Sequence, residues 1–319
     1  MRLIALIAVL LIALTSPAQT LREVLKTNGI PVTTFDGAEL DGNVNAAAAV
    51  KDNQVLVVYM QVDKKSMFTG EPKLIQYNRN SGTVIRTEVK PEDANLCCGS
   101  PEDISLVDDF AIVSFHINPS AETMLVLSKD LKLVNTLYGF DVHQVGPGQV
   151  VFIENMIHFA PAHPERLQLA DLRTGKRIEL YPPQGDPLRA AFAHEHDEHM
   201  PSEAACAKMD DPCEPELYDE DIEFLDSDGH GNFGFTVRRD AGNNEEPESG
   251  ISEVALYRYA WNGSEWKYCA EKLPQDQASN QRRGNQGDAS PKNGCSPALR
   301  VVPDMSNADF SPFDTQRHE

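Results

Sequence analysis

One phrase recurs four times along this chain, and it limits what the chain can fold into. Each copy is a run of alternating apolar and polar residues, a turn rich in Asn, Asp, Ser or Gly, and a second alternating run. The copies are Lys73–Val89, Met124–Phe140, Arg166–Leu180 and Val254–Cys269. Period-two alternation interrupted by such a turn predicts a β-hairpin, because side chains alternate between the faces of a strand. A further strand pair precedes each copy, at Asn45–Val62, Asp103–Ile117, His143–Phe159 and Asp221–Arg238. Their turns, Lys51-Asp52-Asn53, Asp108-Asp109, Gly146-Pro147-Gly148 and Asp228–Asn232, carry residues that tolerate turn backbone. The predicted unit is therefore four short antiparallel strands in sequence, repeated at a pitch of about 40 to 60 residues.

That pitch fits the blades of a propeller. Asp228-Gly229-His230-Gly231-Asn232-Phe233 resembles the Asp-x-x-Gly-Asn turn that joins the first two strands of many propeller blades. On these residues the chain, from about Asn45 to Leu273, resembles a bacterial extracytoplasmic β-propeller. It carries neither a WD dipeptide nor a kelch double glycine. The resemblance implies an all-β propeller of four-stranded antiparallel blades. Four blades are legible, and a fifth is expected from Ile30–Phe35 at one end and Ala298–Val302 at the other. The alternative is a β-sandwich.

The segments outside the repeat set the compartment and the boundaries. Arg2, the apolar run Leu3–Leu14 and the small residues Ser16 and Ala18 read as a signal peptide over 1–18. The expected protein is secreted or periplasmic, with a propeller-like domain over 19–302 and a flexible tail over 303–319. Two insertions interrupt the domain, an acidic helical one over 182–220 and a polar loop over 274–294. Asp186-Pro187 is an N-cap followed by a first-turn proline, so a helix is expected over Leu188–His199, ending before Pro201. A formal net charge of −21 argues against nucleic acid as a partner. No membrane insertion is expected after the signal is removed. Six cysteines in an exported chain suggest disulfides. Cys206 with Cys213 and Cys269 with Cys295 are the expected local pairs, while Cys97 and Cys98 are left open.

His194-Glu195-His196-Asp197-Glu198-His199 is the sharpest chemical candidate. On a helix His196 and His199 share a face, and Glu195 lies four residues before His199. Two imidazoles and a carboxylate can hold zinc with one position open. The order is not that of the His-Glu-x-x-His metalloprotease motif. The alternative is a solvated helix end at the start of the acidic run from 194 to 228, which would remain hydrated. Asp226–Asn232 lacks the twelfth-position Glu of an EF-hand, Val237 standing there, so it reads as a turn. His116 reads as a strand-face residue, while His143, His158 and His163 lie in one unit and could join a site. Asn262-Gly263-Ser264 is both a sequon and an expected turn. The sequence contains no nucleophile elbow, phosphate-binding loop or dinucleotide fingerprint. The expected role is a non-catalytic binding or scaffolding module for a protein or small-molecule ligand. The alternatives are a metal-dependent hydrolase or lyase, and a metal-sequestering protein using the insertion.

Overall fold

The computed structural model describes residues 19–62, 71–89, 100–118, 121–154, 165–199, 218–241, 251–274 and 300–301. The chain divides into two compact units, residues up to Tyr138 and residues from Gly139. In unit 1, β1 (Gln19–Thr20) leads into helices α1 (Leu21–Thr27) and α2 (Gly37–Leu40). There follow β2 (Asn43–Lys51), β3 (Gln54–Gln61), β4 (Lys73–Asn78) and β5 (Val84–Glu88), paired in chain order. The second meander is β6 (Ser100–Val107), β7 (Phe110–Asn118), β8 (Ala121–Ser128) and the first half of β9 (Leu133–Gly146).

The second half of β9 opens unit 2, pairing with β10 (Gln149–Glu154), which pairs with β11 (Leu167–Asp171), which pairs with β12 (Arg177–Tyr181). Helix α3 (Pro187–His199) follows, and then β13 (Tyr218–Ser227), β14 (Asn232–Ala241), β15 (Ile251–Trp261) and β16 (Trp266–Lys272), with β17 (Arg300–Val301) added at the edge. Where β9 changes pairing partner, a Cβ on Gly139 would lie 2.1 Å from the Ile153 carbonyl oxygen, so the close approach admits only glycine.

All eight expected strand pairs form. The fold is all-β and of propeller type, its unit the four-stranded antiparallel blade. Every described strand pairs with a neighbour in sequence, whereas a sandwich of immunoglobulin type interleaves its strands through Greek-key connections. The turns have the expected chemistry: Asp52 and Asp108 take positive φ, as does Gly148. Asp228 accepts the backbone N–H groups of His230 and Asn232 and the Asn232 side-chain amide; burial pushes its carboxyl up, and these bonds together outweigh it and hold the carboxyl below the usual range.

The continuous apolar stretch of β3 is explained by cover on both faces. Val55, Val57 and Tyr59 pack with Leu21, Val24 and Leu25 of α1, while Leu56, Val58 and Met60 pack with Ile104, Val113, Phe115 and Leu125. Burial of each such side chain contributes about 1.5–3 kcal/mol. Thr20 and Glu23 cap α1 reciprocally, so the segment enters as a helix that can cover the sheet. In unit 2 the facing layers are aromatic, with Phe233, Phe235, Tyr257, Tyr259, Trp266 and Tyr268 packed against Val151, Ile153, Leu167 and Leu169.

The expected fifth blade is corrected. Pro31 lacks a backbone donor and caps a 3-10 turn over Val32–Thr34, so Ile30–Phe35 is not a strand. At the other end Arg300–Val301 extends the sheet of β13–β16. Four blades form among the described residues. The tail from 303 lies outside them, as do residues 1–18 and the polar loop from 275 on.

Candidate active site

Charge concentrates at one end of unit 2, where β12 and β14 finish and β11, β13 and β15 begin. Short turns close the other end. Side-chain parity explains how charge reaches this interior. Phe233, Phe235 and Val237 face the core, and the next residue of that parity on β14 is Arg239, 0% exposed. Ile222 is followed in the same way by Glu220 on β13, and Ala255 and Tyr257 by Glu253 on β15.

Arg239 Nε donates to Glu220 at 2.9 Å and Nη1 to Glu253 at 2.6 Å. Nη2 donates to the hydroxyl oxygens of Tyr181 and Tyr257 and lies 3.7 Å from Asp186. Tyr181 in turn donates to Glu220, and Tyr257 to Asp186. Asp186 also accepts the Leu188 N–H, capping α3, whose Arg189 donates to Glu220 at 3.1 Å. Lys272 pairs with Glu253 at 3.0 Å. Burial first, then the charge on Glu220, pushes the Tyr181 phenol well up, and burial does the same at Tyr257, so both remain protonated donors. A buried guanidinium with three carboxylates is tolerable only with such full pairing. This network fixes β12, β13, β14, β15 and α3 against one another.

Above it lies a second group. Glu165, just before β11, is 9% exposed. Its N–H donates to the Glu220 carbonyl at 3.2 Å, and its Oε2 accepts the Ile222 N–H at 2.6 Å, so it is clipped to β13 at two points. Burial pushes its carboxyl up to about 7; the Ile222 bond opposes that, and the charges of Asp221 and Asp141 reinforce it. Asp141 pairs with His143 Nε2 at 2.8 Å, and the imidazole stacks on Phe224 with ring centres 3.8 Å apart. Asp141 has φ +56, a left-handed conformation that Asp tolerates better than most residues. A carboxyl that holds a proton near neutrality beside an Asp–His pair can give a proton at one atom and take one at another.

The expected site residues fare differently. Helix α3 forms from Pro187 to His199 with Asp186 as its cap, in accord with the sequence. His194 and Glu195 are exposed on its last turns. The side chains of His196 and His199 lie outside the described residues, as do Cys206, Cys213, Cys295, His158 and His163. Cys269 is half-buried on β16. The acidic run from 194 to 228 is not hydrated throughout: Tyr218–Glu220 already belong to β13, and Glu220 is 1% exposed because Arg239 neutralises it.

No protein-family model and no curated protein matches the sequence. Solved structures do. A GH43 β-1,3-galactosidase is 9% identical with a TM-score of 0.27, over 67% of this chain and 42% of that one. The chain thus spans less than half the length of that relative. A GH43 enzyme from Xanthomonas citri complexed with xylotriose is 10% identical with a TM-score of 0.28, over 73% of this chain and 87% of that one. The β-propeller domain of the Trilobed protease from Pyrococcus furiosus is 8% identical with a TM-score of 0.23, over 72% and 84%. Two of these three are glycoside hydrolases, and the expectation of a non-catalytic binding or scaffolding module is withdrawn on that finding. At these scores the likeness is one of architecture alone.

Proposed function

We propose that the protein is an acid–base hydrolase of small neutral molecules, working at the charged end of unit 2. One observation carries this reading: a buried carboxyl, Glu165, clipped to the strand of Glu220 and within electrostatic reach of Asp141, the partner of His143. In the protonated form Glu165 is the general acid that would protonate a leaving group. His143, held through Nε2 by Asp141, or the exposed Asp221 would take the proton from an attacking water. The Arg239 network beneath is a support that keeps β13 in place. Surrounding carboxylates repel anionic substrates, which leaves neutral or cationic ones. Glycosidic bonds are the bond class that a protonated and an ionised carboxyl cleave together.

Export is part of the same proposal, because neutral glycans are abundant outside the cytoplasm and the chain opens with a signal-like segment. A panel of chromogenic neutral glycosides and esters, assayed from pH 4 to 9, tests the reading. The wild type is expected to turn over at least one member, with activity falling as pH rises past about 7 and Glu165 loses its proton. Glu165→Gln is expected to lower kcat about 100-fold or more. Retention of wild-type kcat by Glu165→Gln, or no turnover anywhere in the panel, overturns it.

A further inference from the structure

A second group of ligating side chains stands in unit 1. Glu102 on β6, His116 on β7 and Glu122 on β8 come from three adjacent strands, and one ligand atom of each lies within 4.8 Å of the others. His116 pairs with Glu122 across β7 and β8, so their side chains share a sheet face. Glu102 reaches that face because β6 carries a bulge there. The register jumps from Pro101↔Phe115 to Asp103↔Ser114, leaving Glu102 as the extra residue. A bulge commonly re-aims a side chain in this way. The result places His116 Nδ1 3.6 Å from Glu102 Oε2, with side-chain exposures of 45% and 57%.

We propose that Glu102, His116 and Glu122 bind a divalent transition-metal ion, zinc being the best fit. Two carboxylates brought together on one face repel each other, and a cation between them removes that cost. The donor set of one nitrogen and two carboxylates suits zinc, whereas calcium and magnesium prefer oxygen throughout. Ligands on a tetrahedral zinc stand about 3.4 Å apart, from metal–ligand distances near 2.1 Å. The present spread therefore closes by about an ångström of side-chain rotation, without backbone movement. Three ligands from one sheet face leave the outward position to water or to a ligand from solution.

Calorimetric titration of the chelator-stripped full chain with zinc chloride tests this. A salt concentration of about 0.15 M suppresses diffuse binding to surface carboxylates. One tight equivalent is expected in the wild type and none in His116→Ala, with circular dichroism confirming that the variant is folded. Glu102→Gln, at an exposed side chain, is expected to lose the same equivalent and serves if His116→Ala does not fold. The double variant His196→Ala, His199→Ala keeps that equivalent. Substitution by cobalt should give visible absorption bands in the wild type that His116→Ala lacks. Superimposable isotherms for wild type and His116→Ala, or loss of the equivalent in the double variant alone, overturn the proposal.

Discussion

Both units contain the same small device, a tyrosine hydroxyl and an arginine converging on one glutamate, yet they set it at different depths. In unit 1 Tyr59 donates to Glu39 at 2.6 Å and Arg86 reaches both Glu39 oxygens at 2.7 Å, with Arg86 41% exposed and lying over the Phe35 ring. In unit 2 Tyr181 and Arg239 converge on Glu220, and all three are buried. The surface version trades protein partners for water at little cost when one member is lost. The buried version has no water to fall back on, so loss of one partner strands the rest. Depth, more than bond count, decides what such a cluster is worth.

The largest test of that contrast is Arg239→Leu against Arg86→Leu. Removal of Arg239 leaves Glu220, Glu253 and Asp186 buried around an apolar side chain, and a loss of about 3–5 kcal/mol is expected. The Arg86 change should cost about 1 kcal/mol or less. Both tryptophans, Trp261 and Trp266, belong to unit 2. Urea unfolding followed by fluorescence therefore reports on unit 2, and far-UV circular dichroism on both. Equal losses for the two variants would break the argument from depth.

The next effect depends on pH. Burial, above all, pushes the Glu165 carboxyl in the folded chain up to about 7 from its ordinary value of 4.5. Between these values the folded chain holds a proton that the unfolded chain releases, so stability falls as pH rises through this window. Above about pH 7 the full cost, on the order of 2–3 kcal/mol, is present. Glu165→Gln keeps an acceptor for the Ile222 N–H and carries no charge. Its stability should exceed that of the wild type at pH 8 and converge with it near pH 4.5. Parallel stability profiles for the two proteins would show that Glu165 is not the titrating group.

A smaller effect is expected from removing single hydroxyls. Tyr181→Phe takes a donor from Glu220 and an acceptor from Arg239, and about 1–3 kcal/mol should be lost. Tyr59→Phe leaves Glu39 with Arg86 and with Lys73 at 3.7 Å, and about 1 kcal/mol is expected. Denaturant midpoints of the two variants, compared at one pH, rank them directly.

The strands were legible because alternation is local: Lys73–Val89 states its own hairpin without reference to the rest of the chain. Helix α3 was legible for the same reason, through Asp186-Pro187. The charged end of unit 2 was not read, since its members come from β12, β13, β14, β15 and the approach to β11. A signal was nevertheless present. In Phe233, Phe235, Val237 and Arg239 one parity runs from three core residues into a charge, and Ala255 to Glu253 repeats the pattern. A charge at a core-facing position states that a partner exists without saying where. The His-rich motif was conspicuous by density of ligating residues in sequence, and the side chains of His196 and His199 lie outside the described residues; density in space instead singles out Glu102, His116 and Glu122. His116, read as an ordinary strand residue, meets Glu122 through strand register and Glu102 through a bulge one strand away.

The strand order has a kinetic consequence. Even β1 and β17 pair with β2 and β16, the adjacent strands in chain order, and among the described residues no strand from one terminus pairs with the other. Each blade can therefore close from its own turns, with loops of modest length and a correspondingly small entropic barrier. Chains dominated by such nearby contacts fold faster than those that must bring distant segments together first. The exception is the charged end of unit 2, where Tyr181 meets Arg239 across 58 residues and Tyr257 meets Asp186 across 71. The expected order of events is blades first and this cluster last, so a slow phase that vanishes in Arg239→Leu would mark the moment at which unit 2 acquires its site.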